Sequence, residues 1–301
     1  MTDLVDVAPE VALALADGHP VVALETTLVS HGFPRGEGAP VARACEARVR
    51  EAGAVPATIG ILAGAIRVGL DDARLALFAD SPEARKAGPR DLAACVAQHA
   101  LAATTIGGTL AVCRTVGIRF LGTGGLGGVH RGFAETLDIS ADLAELARTR
   151  ALVVASGAKS ILDVPATAEA LETLGVPAIG WRTDELPLFY RATGGPPVSA
   201  RVETVEEAAA LARVHWELGG AGLLLAAPPA ESLDVERLIE EGIREAGRRG
   251  IRGQDVTPFV LAHLHAASDG RTVEANKRLV ADNAALAAEV AVACGRGAGS
   301  P

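Results

Sequence analysis

Lys159 stands in VVASGAKSILD, directly after an apolar run, residues 151–155, that reads as a core strand. Open α/β sheets hold their ligands at the carboxyl ends of such strands. An amine desolvated there loses its proton more readily and can attack a carbonyl compound to form an imine, chemistry that arginine cannot supply. The alternative is an ordinary surface lysine. Scarcity favours the first reading, because the chain has 25 Arg but only three Lys, at Lys86, Lys159 and Lys277. That skew fits a GC-rich coding background in which Arg stands wherever a positive charge suffices. Glu25 follows the strand-like VVAL, with Thr26, Thr27, Ser30 and His31 close behind. A partly buried carboxylate there can carry a proton, or it can simply cap the next turn. Lys86, in RKAGPRDL, is a candidate contact for phosphate or carboxylate, or a surface charge.

The densest segment is 122–142, GTGGLGGVHRGFAETLDISAD. Its glycines permit close backbone approach and can aim N–H groups at an anion; a tight turn is the plainer alternative. It is neither a dinucleotide fingerprint nor a Walker loop, since the third glycine and the Gly-Lys-Ser/Thr are both missing. Asp138 and Asp142 lie four apart with Ser140 between them. Carboxylate oxygens and water suit a hard divalent ion such as Mg²⁺ or Mn²⁺. Equally, Asp138 could cap a helix that carries Asp142. His130 and Arg131 add to the density of polar groups. His19, His99, His215, His263 and His265 make no metal-ligand spacing, and His215 beside Trp216 reads as packing. Asn276 and Lys277 fall in a helical pattern, where an Asn is ordinarily solvated.

These residues need a scaffold, and short Val/Ile/Leu runs alternating with Ala-rich stretches supply one. Strands are expected at 21–24, 57–62, 118–122, 151–155, 178–181 and 222–226, and helices at 39–52, 89–102, 141–148, 166–174, 205–218 and 235–249. Strands apolar throughout suit a parallel sheet covered on both faces, giving a three-layer α/β/α fold with a mainly parallel central sheet. Thr204 with Glu207 forms a capping box, and Pro89 suits the first turn of a helix. Residues 186–197, with three prolines, should be an excursion, and 256–293 should be closing C-terminal helices. One domain spanning 1–294 is expected, with 295–301 a frayed tail.

Composition narrows the class. Net charge −9 argues against a nucleic-acid binder. No apolar run is long enough to span a membrane, and the start, MTDLVDVAPE, is acidic where a secretory signal is basic. The four cysteines form no C-x-x-C pair, so buried small thiols are expected, in a cytoplasmic protein.

Together ALETTLVSHGFPRGEG, AVPATIGILAG, RKAGPRDL, TGGLGGVHRGFAETLDISADL, SGAKSILD, GVPAIGW, DVTPFVLAHL and EANKRLVADNAALAAEVA resemble the pseudouridine-5′-phosphate glycosidase family, also called the indigoidine synthase A-like family. The resemblance runs from about residue 21 to residue 290. It implies reversible cleavage of the C–C glycosidic bond of pseudouridine 5′-phosphate to uracil and ribose 5-phosphate. It further implies Lys159 as the imine-forming nucleophile, Glu25 as proton donor and Asp138 as ligand of one Mn²⁺ per subunit, with Mg²⁺ or another divalent ion also possible. Lys86, Ile106, Ser140, Ala141, Asp142 and Asn276 would contact substrate, and His130 would have a proton or substrate role. The family also implies a homotrimer. Thr26-Thr27 where Ser-Thr is common, and Gly88-Pro89 where bulkier residues are usual, depart from its pattern. Two rivals remain from the residues alone: an imine-forming aldolase on another sugar phosphate, and a non-catalytic sugar-phosphate binding protein.

Overall fold

The computed structural model describes residues 4–81, 83–253 and 256–296. Among these residues the apolar runs form one eleven-stranded sheet. Its strands are β1 (Val5–Val7), β2 (Val21–Glu25), β3 (Val55–Leu62), β4 (Ala65–Val68), β5 (Arg85–Ala87) and β6 (Ala102–Thr104). They continue with β7 (Phe120–Gly122), β8 (Leu152–Ala155), β9 (Ala178–Trp181), β10 (Ala200–Val202) and β11 (Leu223–Ala226). The order is β1-β4-β3-β2-β7-β8-β11-β9-β10, with β6 on β3 and β5 on β6. Only the β3–β4 and β3–β6 pairings are antiparallel. Every residue of β2, β8 and β11 is buried, which is why these runs read as continuously apolar.

Flanking helices are α1 (Pro9–Ala16), α2 (Thr27–His31), α3 (Gly38–Glu51), α4 (Asp72–Asp80), α5 (Leu92–Ala97), α6 (Ile106–Val116) and α7 (Phe133–Thr136). The chain continues through α8 (Ala141–Arg148), α9 (Val164–Thr173), α10 (Val205–Glu217), α11 (Glu236–Arg248), α12 (Val256–Ala267) and α13 (Arg271–Arg296). The expected α/β/α architecture is present, and α12 and α13 are its closing helices. Long α13 packs along α3 and α10 and across β2, β7 and β8. The approach is close: a Cβ on Gly122 would lie 2.7 Å from the Ala284 Cα. No helix among the described residues is long and apolar enough to cross a membrane.

Several local expectations change. The helix expected over 89–102 shrinks to α5. Pro89 lies before it in a turn closed by the Gly88 N–H on Asp91 Oδ2, and His99 at φ 51° ends it, so the chain can return as β6. Thr204 caps α10 as expected, but the Glu207 carboxylate accepts from the Glu203 N–H instead of from Thr204. Residues 186–197 form no strand or helix. Helix α13 continues through Gly295 and Arg296, and the remainder of the expected tail lies outside the described residues. All four cysteines are free thiols, three of them buried.

Candidate active site at the carboxyl ends of the strands

Register places the proton-carrying candidate. Leu24 of β2 pairs with Gly122 of β7, so the next residues, Glu25 and Thr123, sit side by side where both strands end. The Thr123 hydroxyl donates to Glu25 Oε1 at 2.6 Å. Burial pushes the Glu25 carboxyl above the ordinary carboxylate range. The positive charge of Lys159 and the Thr123 hydrogen bond oppose that rise, while the charge of Asp142 adds to it and Lys86 works against it. Glu25 is therefore held toward its protonated form, within the electrostatic influence of Lys159.

Lys159 follows β8 in a loop tied to the glycine-rich segment. Its N–H donates to the Leu126 carbonyl at 3.0 Å, and the Leu126 N–H donates to the Gly157 carbonyl at 2.9 Å. Gly157 has φ 70°, and a Cβ there would stand 1.9 Å from the Pro187 carbonyl oxygen. Both facts demand glycine. Gly157→Ala should lower stability by at least ~2 kcal/mol, combining left-handed strain with a backbone clash. Calorimetry would show this as a clear drop in Tm, and an unchanged Tm would contradict the argument.

The glycines of 124–128 serve close side-chain approach more than an anion cradle. A Cβ on Gly125 would meet the Phe189 ring at 2.5 Å, and one on Gly127 would meet Ser140 Oγ at 2.3 Å. The Gly127 N–H is already spent on Asp142 Oδ2 at 3.1 Å. The other oxygen of that buried carboxylate accepts from the Gly107 N–H at 2.7 Å. Asp142 thus clamps the start of α6 to the glycine-rich loop, and it does not pair with Asp138 as a bidentate metal cage. Nor does Asp138 cap α8. Ser140 does so, accepting from the Asp142 N–H at 3.2 Å.

Two adjoining hollows share Glu25, Thr27, Lys86, Lys159 and Thr257 in their walls. The inner one is largely apolar, lined by Leu28, Ile161, Phe189 and Leu261, with Asn276 and His31 at its polar points. The outer one, about 560 Å³, is more polar than the inner and carries His130, Asp138, Ser140, Ala141, Asp142, Arg90 and Arg148. Here the N-terminus of α8 and Thr105, the cap of α6, face a common space beside Lys86, an arrangement suited to a phosphate group. Ile106 is the first residue of α6 and fully buried, and it lines neither hollow. Gly88-Pro89 leaves Lys86 in the cleft wall. Thr26 is also accommodated, its hydroxyl donating to the Ile59 carbonyl at 2.7 Å.

All predicted site residues except buried Ile106 line this cleft; Lys277 instead bridges Glu37 and Glu274 at 2.9 and 2.7 Å on the exterior. Asn276, expected to be solvated, is 2% exposed, and its Oδ1 has no hydrogen-bond partner among the described residues. Sequence reasoning missed Thr123, Phe189 and Asn283. The Asn283 amide donates to the carbonyls of Thr123 and Gly124 at 2.7 and 3.3 Å and to Ser156 Oγ at 3.2 Å. Asn283 is the other of the chain's two asparagines, so the signal of rarity was available. Phe189 carries φ 64°, a backbone state uncommon outside glycine and invisible in sequence.

Among the described residues no three His, Cys, Asp or Glu side chains converge as a metal site. The Asp138 side chain is 31% exposed, with His130 Nδ1 3.9 Å from its Oδ2. Burial lowers the His130 pKa, and the Asp138 charge opposes that shift. One accessible carboxylate facing a polar hollow fits a divalent ion that keeps most of its water, and it does not fit a closed all-protein cage.

A family model described as indigoidine synthase A like protein matches residues 10–293. The chain belongs to this family. A pseudouridine-5′-phosphate glycosidase of Caldanaerobacter subterraneus subsp. tengcongensis is 48% identical over 298 residues, covering 97% of each chain. One from Salinispora tropica is 49% identical over 291 residues, covering 94% of this chain and 90% of its own. The crystal structure of the prealnumycin C-glycosynthase AlnA in complex with ribulose 5-phosphate superposes with TM-score 0.89 at 39% identity, covering 99% of both chains. An indigoidine synthase A-like protein of Thermotoga maritima gives TM-score 0.83 at 40% identity, over 91% of this chain and 92% of that one.

Proposed function

We propose that this chain is a pseudouridine-5′-phosphate glycosidase that reversibly cleaves the C–C bond between uracil and ribose 5-phosphate through an imine on Lys159. The observation that carries this reading is the convergence of Lys159 and Glu25 in one cleft whose polar mouth suits a sugar phosphate. Relatives with that activity in their names, and a C-glycosynthase holding a ribulose phosphate, support it.

The chemistry follows from the bond. A C-glycoside has no leaving heteroatom to protonate, so an ordinary pair of glycosidase carboxylates is insufficient. As the ribose C1′–O4′ bond opens and O4′ gains a proton, the Lys159 nitrogen bonds to C1′. With uracil C5 protonated, the nitrogen lone pair forms C=N while the C1′–C5 bond breaks, and the electron pair of that bond restores the C5=C6 double bond of uracil. Glu25 donates that proton to C5, and water hydrolyses the imine to release ribose 5-phosphate and restore the amine. Lys86 and the starts of α6 and α8 hold the phosphate. Asp138 would anchor Mn²⁺ or Mg²⁺, which would supply positive charge to the cleft. The same proposal includes a homotrimer acting in the cytoplasm.

The test is release of uracil from pseudouridine 5′-phosphate, with and without EDTA and with Mn²⁺ restored. Turnover that EDTA lowers and Mn²⁺ restores is the expected result. Binding without uracil release would instead favour a sugar-phosphate binding protein, and carbon–carbon cleavage of another sugar phosphate would favour an aldolase.

A further inference from the structure

The inner hollow poses a recognition problem that the imine chemistry does not use. His31 ends α2, and its Nε2 is buried in the hollow's wall without a hydrogen-bond partner among the described residues. The other ring nitrogen donates to the Ala84 carbonyl. Burial holds the ring neutral, since it lowers the His31 pKa and the nearby charge of Lys86 lowers it further. A neutral imidazole whose one N–H is already engaged offers a bare lone pair on the other nitrogen. Asn276 brings a second unpartnered acceptor to the same hollow from α13, its Oδ1. The rest of the wall includes the Phe189 ring, Leu28 and Ile161. A buried acceptor left unpaired is costly, so two of them in one apolar slot call for a ligand carrying two N–H donors on a flat ring.

We infer that His31 Nε2 and Asn276 Oδ1 read the two ring N–H groups of a C-linked uracil and thereby select a C-glycoside over its N-glycoside isomer. The inference rests on the glycosidase reading above. Uracil attached through C5 keeps both N1–H and N3–H, whereas uracil attached through N1 keeps only N3–H. An N-linked nucleotide in the slot therefore leaves one buried acceptor unsatisfied. Sites built to bond a given group reject analogues lacking it by large factors, up to roughly 10⁴-fold.

The experiment compares pseudouridine 5′-phosphate with its N1-methyl and N3-methyl derivatives in the wild type, in His31→Leu and in His31→Gln, which keeps an acceptor. In each protein, ribose 5-phosphate is also trapped on the enzyme with borohydride. The expected wild-type result is a loss of kcat/KM of roughly 100-fold or more for each methylation. His31→Leu should lower kcat/KM for the parent at least ~10-fold and narrow the discrimination against one of the two derivatives. His31→Gln should restore part of both, and trapping of ribose 5-phosphate should be unchanged in both variants. Wild-type activity on both methylated derivatives, or His31 variants that trap normally yet cleave and discriminate like the wild type, would overturn the inference. Failure of the wild type to trap ribose 5-phosphate would instead sink the glycosidase reading itself.

Discussion

Lys159→Ala is expected to lose turnover and the borohydride-trapped sugar adduct together. The covalent route has one nucleophile, and its removal should lower kcat by roughly 10³-fold or more. Lys159→Arg makes the argument sharper. It keeps a positive charge beside Glu25, so a role in electrostatics alone would leave much of the activity, whereas imine formation requires an amine that arginine cannot supply. Both variants should therefore be comparably inactive, and mass spectrometry should find neither carrying the sugar. An adduct that persists in Lys159→Ala would move the nucleophile to another amine, with Lys86 the first to examine because it lines the same cleft. The fold should tolerate the alanine, because the loop is held through backbone groups of Gly157 and Leu126.

Glu25→Gln should produce the second large effect, a fall in cleavage of roughly 10²- to 10⁴-fold, the usual contribution of a positioned proton donor. Its pH signature has a definite sign. Burial raises the Glu25 pKa, so the protonated acid persists to higher pH than free glutamic acid does. Cleavage needs that acid and should decline as pH rises through the raised value. The reverse reaction needs the carboxylate and should decline as pH falls through the same value. Stability follows the same linkage. A carboxyl with a raised folded-state pKa contributes stability that is complete below its unfolded value, about 4.3, and is lost as pH rises through the folded value. Glu25→Gln cannot ionise, so it should melt above the wild type at alkaline pH and lose that advantage in acid. A variant whose Tm tracks the wild type at every pH would show that Glu25 is not held in the neutral form.

How much of this was legible depended on the range of the forces involved. The strand Ala178–Trp181 and the helix Ala141–Arg148 appear at the expected residues, because apolar runs and helical patterning are local signals. Strands β1, β5, β6 and β10 are three residues each, too short to show a period. Helix α6 was hidden by Gly107 and Gly108, which weaken local helix propensity. Packing demands them: a Cβ on Gly108 would lie 2.3 Å from the Ala87 carbonyl oxygen. The turn from β3 to β4 uses Ala63 at φ 52° and Gly64 at φ 79°, and only the glycine announces it.

The amino-acid order by itself determined the α/β class, the family motifs and the residue types available for covalent and proton chemistry. An amine in a chain almost devoid of lysine, and a carboxylate at a strand end, were visible without coordinates. Only the tertiary structure decided what those groups meet. It joined Thr123 to Glu25 across 98 residues and Asn283 to Thr123 across 160. It separated Asp142, with both oxygens on backbone N–H groups, from Asp138, which faces the open mouth. It also buried Asn276 where a helical pattern alone implied solvent. The reason is physical: caps and apolar runs act over a few residues, whereas strand register and the seating of α13 on the sheet settle desolvation and hydrogen-bond partners between distant parts of the chain.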